Sequence, residues 1–423
     1  MNHAVRASLF LIPLCAAPAF AQDNSAQGSS GDQAGREWIG GEPFSRWTRA
    51  TGDWNGYRTQ LEEMGIEIAG GITADFGGAV AGGQRHRGAL STLLDFNAAF
   101  DLEKLAGLPR TIAYIDAYQI AGRDLSNDIG DAQSVSNIQG EDVRQIAEVW
   151  VETWIGDQVR LKVGKVDFNS EFAFNEIGGE FINSTAAITP CIVAYPTYPD
   201  PAMSVNAFYL PAPDLYVGFG IYDGAAGEGV ATGRLGPGGF FGTDDHDAYF
   251  LATEVGTAWA GGDTWGSGRF AAGLWHHTAK FDTFDGGRNS GSSGLWLTVE
   301  QHVWRENPAD AEDRRGIGVF ASIGLADQDV SAFANTVACG VNWTGPLDYR
   351  REDALGFCIL HANLSNRAGA GTPADETVFE LLYKLQLTPA ISIKPDLQYI
   401  LNPGGAAGED DALVAMLRFE VMF

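Results

Sequence analysis

Basic residues are scarce in this chain: 27 lysines and arginines stand against 54 aspartates and glutamates, giving a formal net charge of −27. Nucleic-acid binding needs a basic footprint, so that class of function is excluded. Cysteine is scarcer still, at four residues in 423. One of them, Cys15, falls in an amino-terminal segment read below as a signal, and Pro13-Leu14 before it lack the small residues that a lipoprotein site favours. The remaining Cys191, Cys339 and Cys358 are odd in number, which excludes a fully paired disulfide framework within one chain. Cys339 and Cys358 stay open to two readings, a bridge between neighbouring strands or two small wall residues. No spacing resembles a zinc site. His276 and His277 are adjacent in a strand pattern and so point to opposite faces; neither a metal nor any other cofactor is predicted. Long apolar runs are missing as well. Nothing beyond the first 21 residues is long enough to cross a bilayer as a helix, which leaves strands as the only possible spans. Alternating strands hide in sequences of average hydropathy.

Glycine, at 54 residues, and the 24 phenylalanines and 11 tryptophans are plentiful, as an all-β protein with many turns and aromatic belts requires. The clearest stretch runs from residue 144 to 166. One register holds Ala147, Val149, Val151, Thr153 and Ile155; the other holds Arg144, Glu148, Trp150, Glu152 and Trp154. After Gly156-Asp157-Gln158 the pattern resumes, with Val159, Leu161 and Val163 against Arg160 and Lys162. This is a hairpin with acids facing bases on one side and modest aliphatics on the other. A soluble sandwich turns its apolar face inward. Here the dense charge and large aromatics share a face, which suits a barrel that is wet inside and lipid-covered outside.

The chain opens with Arg6, an apolar run and an Ala19-Phe20-Ala21 cleavage pattern, so residues 1–21 read as a secretory signal. Residues 22–50 read as a flexible leader and 51–423 as the barrel, preceded by a short helix between Asp53 and Gly65 with Trp54, Tyr57, Leu61 and Met64 on one side. Alternation then yields sixteen strands, the even number that single-chain bacterial barrels require. Tiny turns (156–158, 211–213, 388–390) alternate with long connections (121–144, 167–202, 223–247), which puts both termini in the periplasm and the long loops outside. The predicted fold is a sixteen-stranded antiparallel transmembrane β-barrel in the outer membrane, ending on Phe423 as an assembly signal would. The 167–202 connection carries six aromatics, including Phe168, Phe172 and Phe181, too apolar for a free loop. It is predicted to fold inward and narrow the pore.

The segments Thr51-Gly-Asp-Trp-Asn-Gly-Tyr-Arg58, Val135-Ser-Asn-Ile138, Leu161-Lys-Val-Gly164, Ser170-Glu-Phe172, Phe181-Ile-Asn183, Leu387-Thr-Pro389 and Pro395-Asp-Leu-Gln-Tyr-Ile-Leu-Asn-Pro-Gly-Gly405 resemble, in order, the carbohydrate-selective porin family named for the OprB glucose porin. The resemblance implies a passive channel for neutral sugars such as glucose. Lys165, where an uncharged polar residue is expected, and Cys191 in the long loop depart from the family pattern. Sugars offer hydroxyls and apolar ring faces, so a path for them needs hydrogen-bonding charges beside aromatics. The candidates are Arg144, Glu148, Trp150, Glu152, Arg160 and Lys162 on the hairpin and Glu171 and Asn183 on the long loop. Arg85 and Arg87 in the first external loop are candidates for the basic side of a constriction. The competing reading of the hairpin charges is that they merely pair across strands. Acidity of the whole chain predicts cation enrichment at the mouths. The expected partners are neutral sugars and outer-membrane lipid, as a monomer or a homotrimer. Other readings are a general or cation-preferring porin, a β-sandwich lectin, and a barrel hydrolase, which would require a serine beside a lipid-facing histidine.

Overall fold

The computed structural model describes residues 43–423 except 141, 241–246, 263–265, 309, 311–312, 373–374 and 407–409. The predicted signal and residues 22–42 of the predicted leader, Cys15 included, lie outside the described residues. Residues 43–50 of that leader are packed on the barrel rim, with Trp47 buried and the Ala50 amide donating to the Met422 carbonyl at 2.6 Å.

The strands are β1 (Ile66–Ala81), β2 (Ala89–Asp101), β3 (Thr111–Gly122), β4 (Val143–Ile155), β5 (Val159–Val166), β6 (Ala202–Ala212), β7 (Leu215–Asp223) and β8 (Tyr249–Trp259). They continue as β9 (Gly268–Asp282), β10 (Arg288–Arg305), β11 (Gly316–Ala326), β12 (Phe333–Thr344), β13 (Ala354–Leu364), β14 (Asp375–Thr388), β15 (Ile391–Leu401) and β16 (Ala412–Met422). Each strand pairs with the next, and β1 pairs antiparallel with β16, so the sheet closes into a sixteen-stranded barrel. Closure leaves no open edge among these strands, which is what a sheet in lipid must achieve.

The alternation works as predicted around the wall. Phe76, Leu94, Ile115, Phe219, Leu274, Leu381 and Leu417 are exposed on the outside. Asp75, Asp95, Asp116, Glu254, Glu300, Glu380 and Arg418 are buried on the inside. One local departure matters. Asp116 pairs with Glu148 but Ala117 pairs with Ile146, so Ala147 is the extra residue of a β-bulge. Beyond it the faces exchange, and Ile146 points outward while Ala147 is buried. The Lys165 ammonium donates to the Ile146 carbonyl at 2.8 Å and also to that of Gly233, so the unexpected lysine binds the bulge to the fourth external loop.

Helix α1 (Tyr57–Met64) forms where predicted, and Gly65 ends it in a left-handed conformation. Its N-cap is Gly56 rather than Asp53, whose carboxylate nonetheless accepts from the Thr59 amide in the first turn at 2.9 Å. Its buried face is not the apolar one. Tyr57 and Met64 are exposed, whereas Arg58 is buried, donates to the Ile68 and Gly52 carbonyls and lies over the Trp54 ring. Cys339 faces outward and Cys358 inward, and both are free thiols, so the bridge between them does not form.

Candidate functional site

The third external loop, residues 167–201, crosses the barrel interior. Its backbone amides are held by glutamates that point inward from four strands. Glu148 on β4 accepts from the Asp167 amide at 3.0 Å, and Glu254 on β8 from that of Ala173 at 3.2 Å. Glu300 on β10 accepts from Glu176 at 2.7 Å. On the far wall Glu380 of β14 accepts from Ile182 at 2.6 Å and from Asn183 at 3.2 Å. Buried amides must find acceptors, and these carboxylates supply them where no strand partner exists. The loop's rings fill the space beside the wall. Phe172 stacks on Phe208 at 5.1 Å, and Phe168 packs edge-on against Phe250 and Trp296. Glycines on the inner register of β7 make room: a Cβ on Gly220 would sit 2.8 Å from the Phe172 ring.

The second external loop, residues 123–142, also enters the lumen, which the sequence reading did not foresee. Glu376 accepts from the amides of Ala132 and Gln133, and Ser136 donates to Asp75 at 2.6 Å. The two loops are laced together by Asn137 N–H to the Ile182 carbonyl at 2.9 Å and Ser184 N–H to that of Ser134 at 3.1 Å. Gln398 on β15 serves both: it accepts from the Asn183 side chain at 3.1 Å and donates to the Val135 carbonyl at 2.8 Å.

Two charge clusters stand on the inner register where these loops meet the wall. On β4–β5, Arg160 bonds to Glu171 and, at 3.2 Å, to Glu152, while Lys162 reaches Glu171 at 2.6 Å and Glu152 at 3.3 Å. Across the lumen, Glu180 from the third loop lies 3.4 Å from both Lys384 and Lys394, and Lys394 also reaches Glu420 at 3.3 Å. The Lys384 ammonium, then that of Lys394, hold the Glu180 carboxyl down to about 2 against the opposing effect of its enclosure. Its folded value lies below the ordinary value of about 4.3. The pairing therefore stabilises the loop above that ordinary value and is lost only as pH falls towards 2. The conductance ratio of wild type to Glu180→Gln should stay constant from about pH 7 to pH 4. A ratio that changes within that window would mean the lysines do not hold this carboxylate.

A family model described as "Carbohydrate-selective porin, OprB family" matches residues 85–423. The chain belongs to that family. Porin B of Pseudomonas aeruginosa is 27% identical over 441 residues, covering 90% of this chain and 92% of that protein. The putative porin QuiX of Acinetobacter baylyi is 26% identical over 421 residues, covering 88% and 92%. The high-pH structure of Pseudomonas putida OprB shares the fold, with a TM-score of 0.80 at 21% identity over 90% of this chain and 100% of that one. As an OprB-family porin the protein is an outer-membrane sugar channel, and family and fold point away from an enzyme.

Within this porin the structure places the sequence-predicted residues unequally. Arg160, Lys162, Glu152 and Glu171 come together as the cluster described above. Trp150 stands beside them but is already engaged, with Tyr114 stacked on it at 4.8 Å and the Lys162 ammonium 3.9 Å from its centroid. Glu148 and Asn183 are buried in loop anchoring. Arg144 stands outside, because the bulge at Ala147 moves it to the outward register, where it pairs with Gln119 and is exposed. Arg85 and Arg87 are exposed, and Arg85 meets Asp128 of the second loop at 3.8 Å rather than any acid of the third. Sequence reasoning did not single out Glu176, Glu180, Lys384, Lys394 and Glu420, which the structure brings to the third loop's contacts with the wall and the second cluster. For Lys384, Lys394 and Glu420 the signal was the alternation itself, which puts all three on the inward register; Glu176 and Glu180 lie in the loop, where alternation gives none.

The outer wall does carry one serine–histidine pair that alternation did not reveal: His276 Nδ1 lies 2.8 Å from Ser293 Oγ across β9 and β10. Among the described residues no carboxylate hydrogen-bonds to that imidazole, so the pair is a cross-strand contact without a third member.

Proposed function

We propose that this porin passes monosaccharides such as glucose by passive diffusion, and that Glu152, Arg160, Lys162, Glu180, Lys384, Lys394 and Glu420 are the groups the solute passes. The reading is carried by two ion-paired clusters on the inner wall, one on β4–β5 and one on β14–β16, beside two loops anchored inside the barrel. Each cluster balances two carboxylates against two cations, which suits a neutral, polyhydroxylated solute: it finds donors and acceptors on both sides and no strong net field. Paired groups also release what they hold, since a channel must bind weakly enough to let go. The engaged rings of Trp150 and Tyr114 leave hydrogen bonding, rather than stacking, as the main contact. A single copy suffices because the barrel closes on itself, and residues 1–21 act as the export signal.

Liposome swelling with the purified protein tests this reading. Glucose should enter faster than amino acids and organic acids of similar size, and faster than a disaccharide. Entry rates that follow size alone would make the protein a general porin.

A further inference from the structure

We propose that an arc of arginines on the external rim, Arg87, Arg123, Arg144 and Arg234, binds the phosphate groups of the glycolipid in the outer leaflet. This contact is independent of what passes through the lumen. The chain as a whole is acidic, with a formal charge of −27. A leaflet that carries phosphates repels such a chain unless basic groups stand where the two meet.

On one side of the rim they do. The first external loop, residues 82–88, reads Gly-Gly-Gln-Arg-His-Arg-Gly and holds no acid. Arg123 follows β3 directly, and its guanidinium donates to the Gly88 carbonyl at 2.7 Å, which sets it beside Arg87. Arg144 lies at the external end of β4, paired with Gln119 of β3. Arg234 belongs to the fourth loop, where residues 232–234 pack against β4 and β6. Arg87, Arg144 and Arg234 are exposed, and none of the three has an ion-pair partner among the described residues. Asp128 is enclosed and meets both Arg85, at 3.8 Å, and Arg123, at 2.7 Å, so one carboxylate answers two guanidiniums. Asp142 is the exposed acid of the first two loops among the described residues, and it accepts from the Gly122 amide at 3.0 Å.

Arg144 owes its place to the bulge at Ala147. Without the extra residue its side chain would enter the lumen; with it, the guanidinium is aimed away from the barrel axis. Lys165 fixes the bulge through the Ile146 carbonyl and, through that of Gly233, brings the neighbouring Arg234 to the same part of the wall. Next to the arginines the outer face turns apolar. Ile146, two residues from Arg144, is 53% exposed, and Leu90, whose carbonyl accepts from the Arg123 amide at 3.0 Å, is 52% exposed. Acyl chains fit the second kind of surface and phosphates the first. A guanidinium offers a fork of donors matched to phosphate oxygens. The adjoining aliphatics select a lipid over a free phosphate.

The test uses the full-length protein in detergent micelles, with native mass spectrometry and thermal unfolding as readouts. The probes are lipid A bearing both phosphates, the same lipid stripped of phosphate, and inorganic phosphate. Phosphorylated lipid A should be retained and raise the unfolding temperature, whereas the other two should not. In Arg87→Ala/Arg144→Ala its affinity should fall roughly tenfold or more, with the β circular-dichroism signal unchanged. Arg144→Gln alone should show a smaller loss of the same kind. Lys280→Ala, which removes an exposed cation from β9, should leave the affinity as it was. Equal retention of the stripped lipid would overturn the proposal, because acyl chains alone would account for binding. Displacement of the lipid by inorganic phosphate at equal affinity would overturn the lipid as ligand and leave a free-anion site. Unchanged affinity in the double variant, or an equal loss in Lys280→Ala, would overturn the assignment to the arc.

Discussion

Removing residues 175–187 and joining Phe174 to Ile188 through a Gly-Ser turn should raise single-channel conductance several-fold. The join is geometrically simple, because Phe174 and Ile188 already face each other as an antiparallel bridge. The excision takes out Glu176, Glu180, Phe181 and Asn183, the part of the third loop that reaches the far wall. Phe168 and Phe172 remain to anchor the stump against β6, β8 and β10. Lys394 keeps Glu420 as a partner, so the shortened protein should fold. Larger sugars should then enter liposomes that exclude them with the intact protein. Unchanged conductance would place the narrowest point elsewhere, with the second loop as the first suspect.

The second large effect is expected from Glu171→Ala. Glu171 is buried and receives both Arg160 and Lys162. Deleting it leaves two enclosed cations to share Glu152. Breaking a buried pair from one side costs about 3–5 kcal/mol, mostly through the charge left behind. Thermal unfolding in detergent should show a clear drop, with the third loop becoming protease-sensitive. Glu171→Gln, which keeps an acceptor in place, should lose less. The matching control is Asp157→Ala, which breaks the exposed Arg110–Asp157 pair on a periplasmic turn and should cost under about 1 kcal/mol. Equal effects from Glu171→Ala and Asp157→Ala would show that water screens the inner cluster as well as it does the rim.

The barrel was legible because a strand has a period of two and lipid outside demands one answer from it. Leu381 beside Glu380 and Leu417 beside Arg418 announce their faces without help from the rest of the chain. The site was less so, for three physical reasons. A bulge inserts one residue without breaking a local pattern: Gln145-Ile146-Ala147-Glu148 reads equally well in either register, so Arg144 was assigned to the wrong side. The inward course of the second loop depends on Asp75, Glu376, Gln398 and Arg418, which are distant in sequence, and nothing within Val135–Asn137 signals those partners. Finally, which member of an ion pair stands forward is a matter of side-chain depth. The aromatics of the third loop suggested Glu171 as a lumen residue, but Glu171 is buried against Arg160 and Lys162, whereas Glu176 on the same loop is exposed. Helix α1 shows the same limit: Arg58 outcompetes the apolar side because it satisfies the Ile68 and Gly52 carbonyls.

The glutamates that hold the third loop grip its main chain, at Asp167, Ala173, Glu176, Ile182 and Asn183. Every residue type but proline carries the same N–H, so these moorings are indifferent to what the loop displays. Letters at positions such as 176 and 179 are thereby free to drift, and each change rewrites the face offered to a passing solute without slackening the tether. The barrel behaves as a socket that accepts interchangeable inserts. Variation in diet among relatives would then be written in the loop, and the wall acids would be the last part of the protein to change.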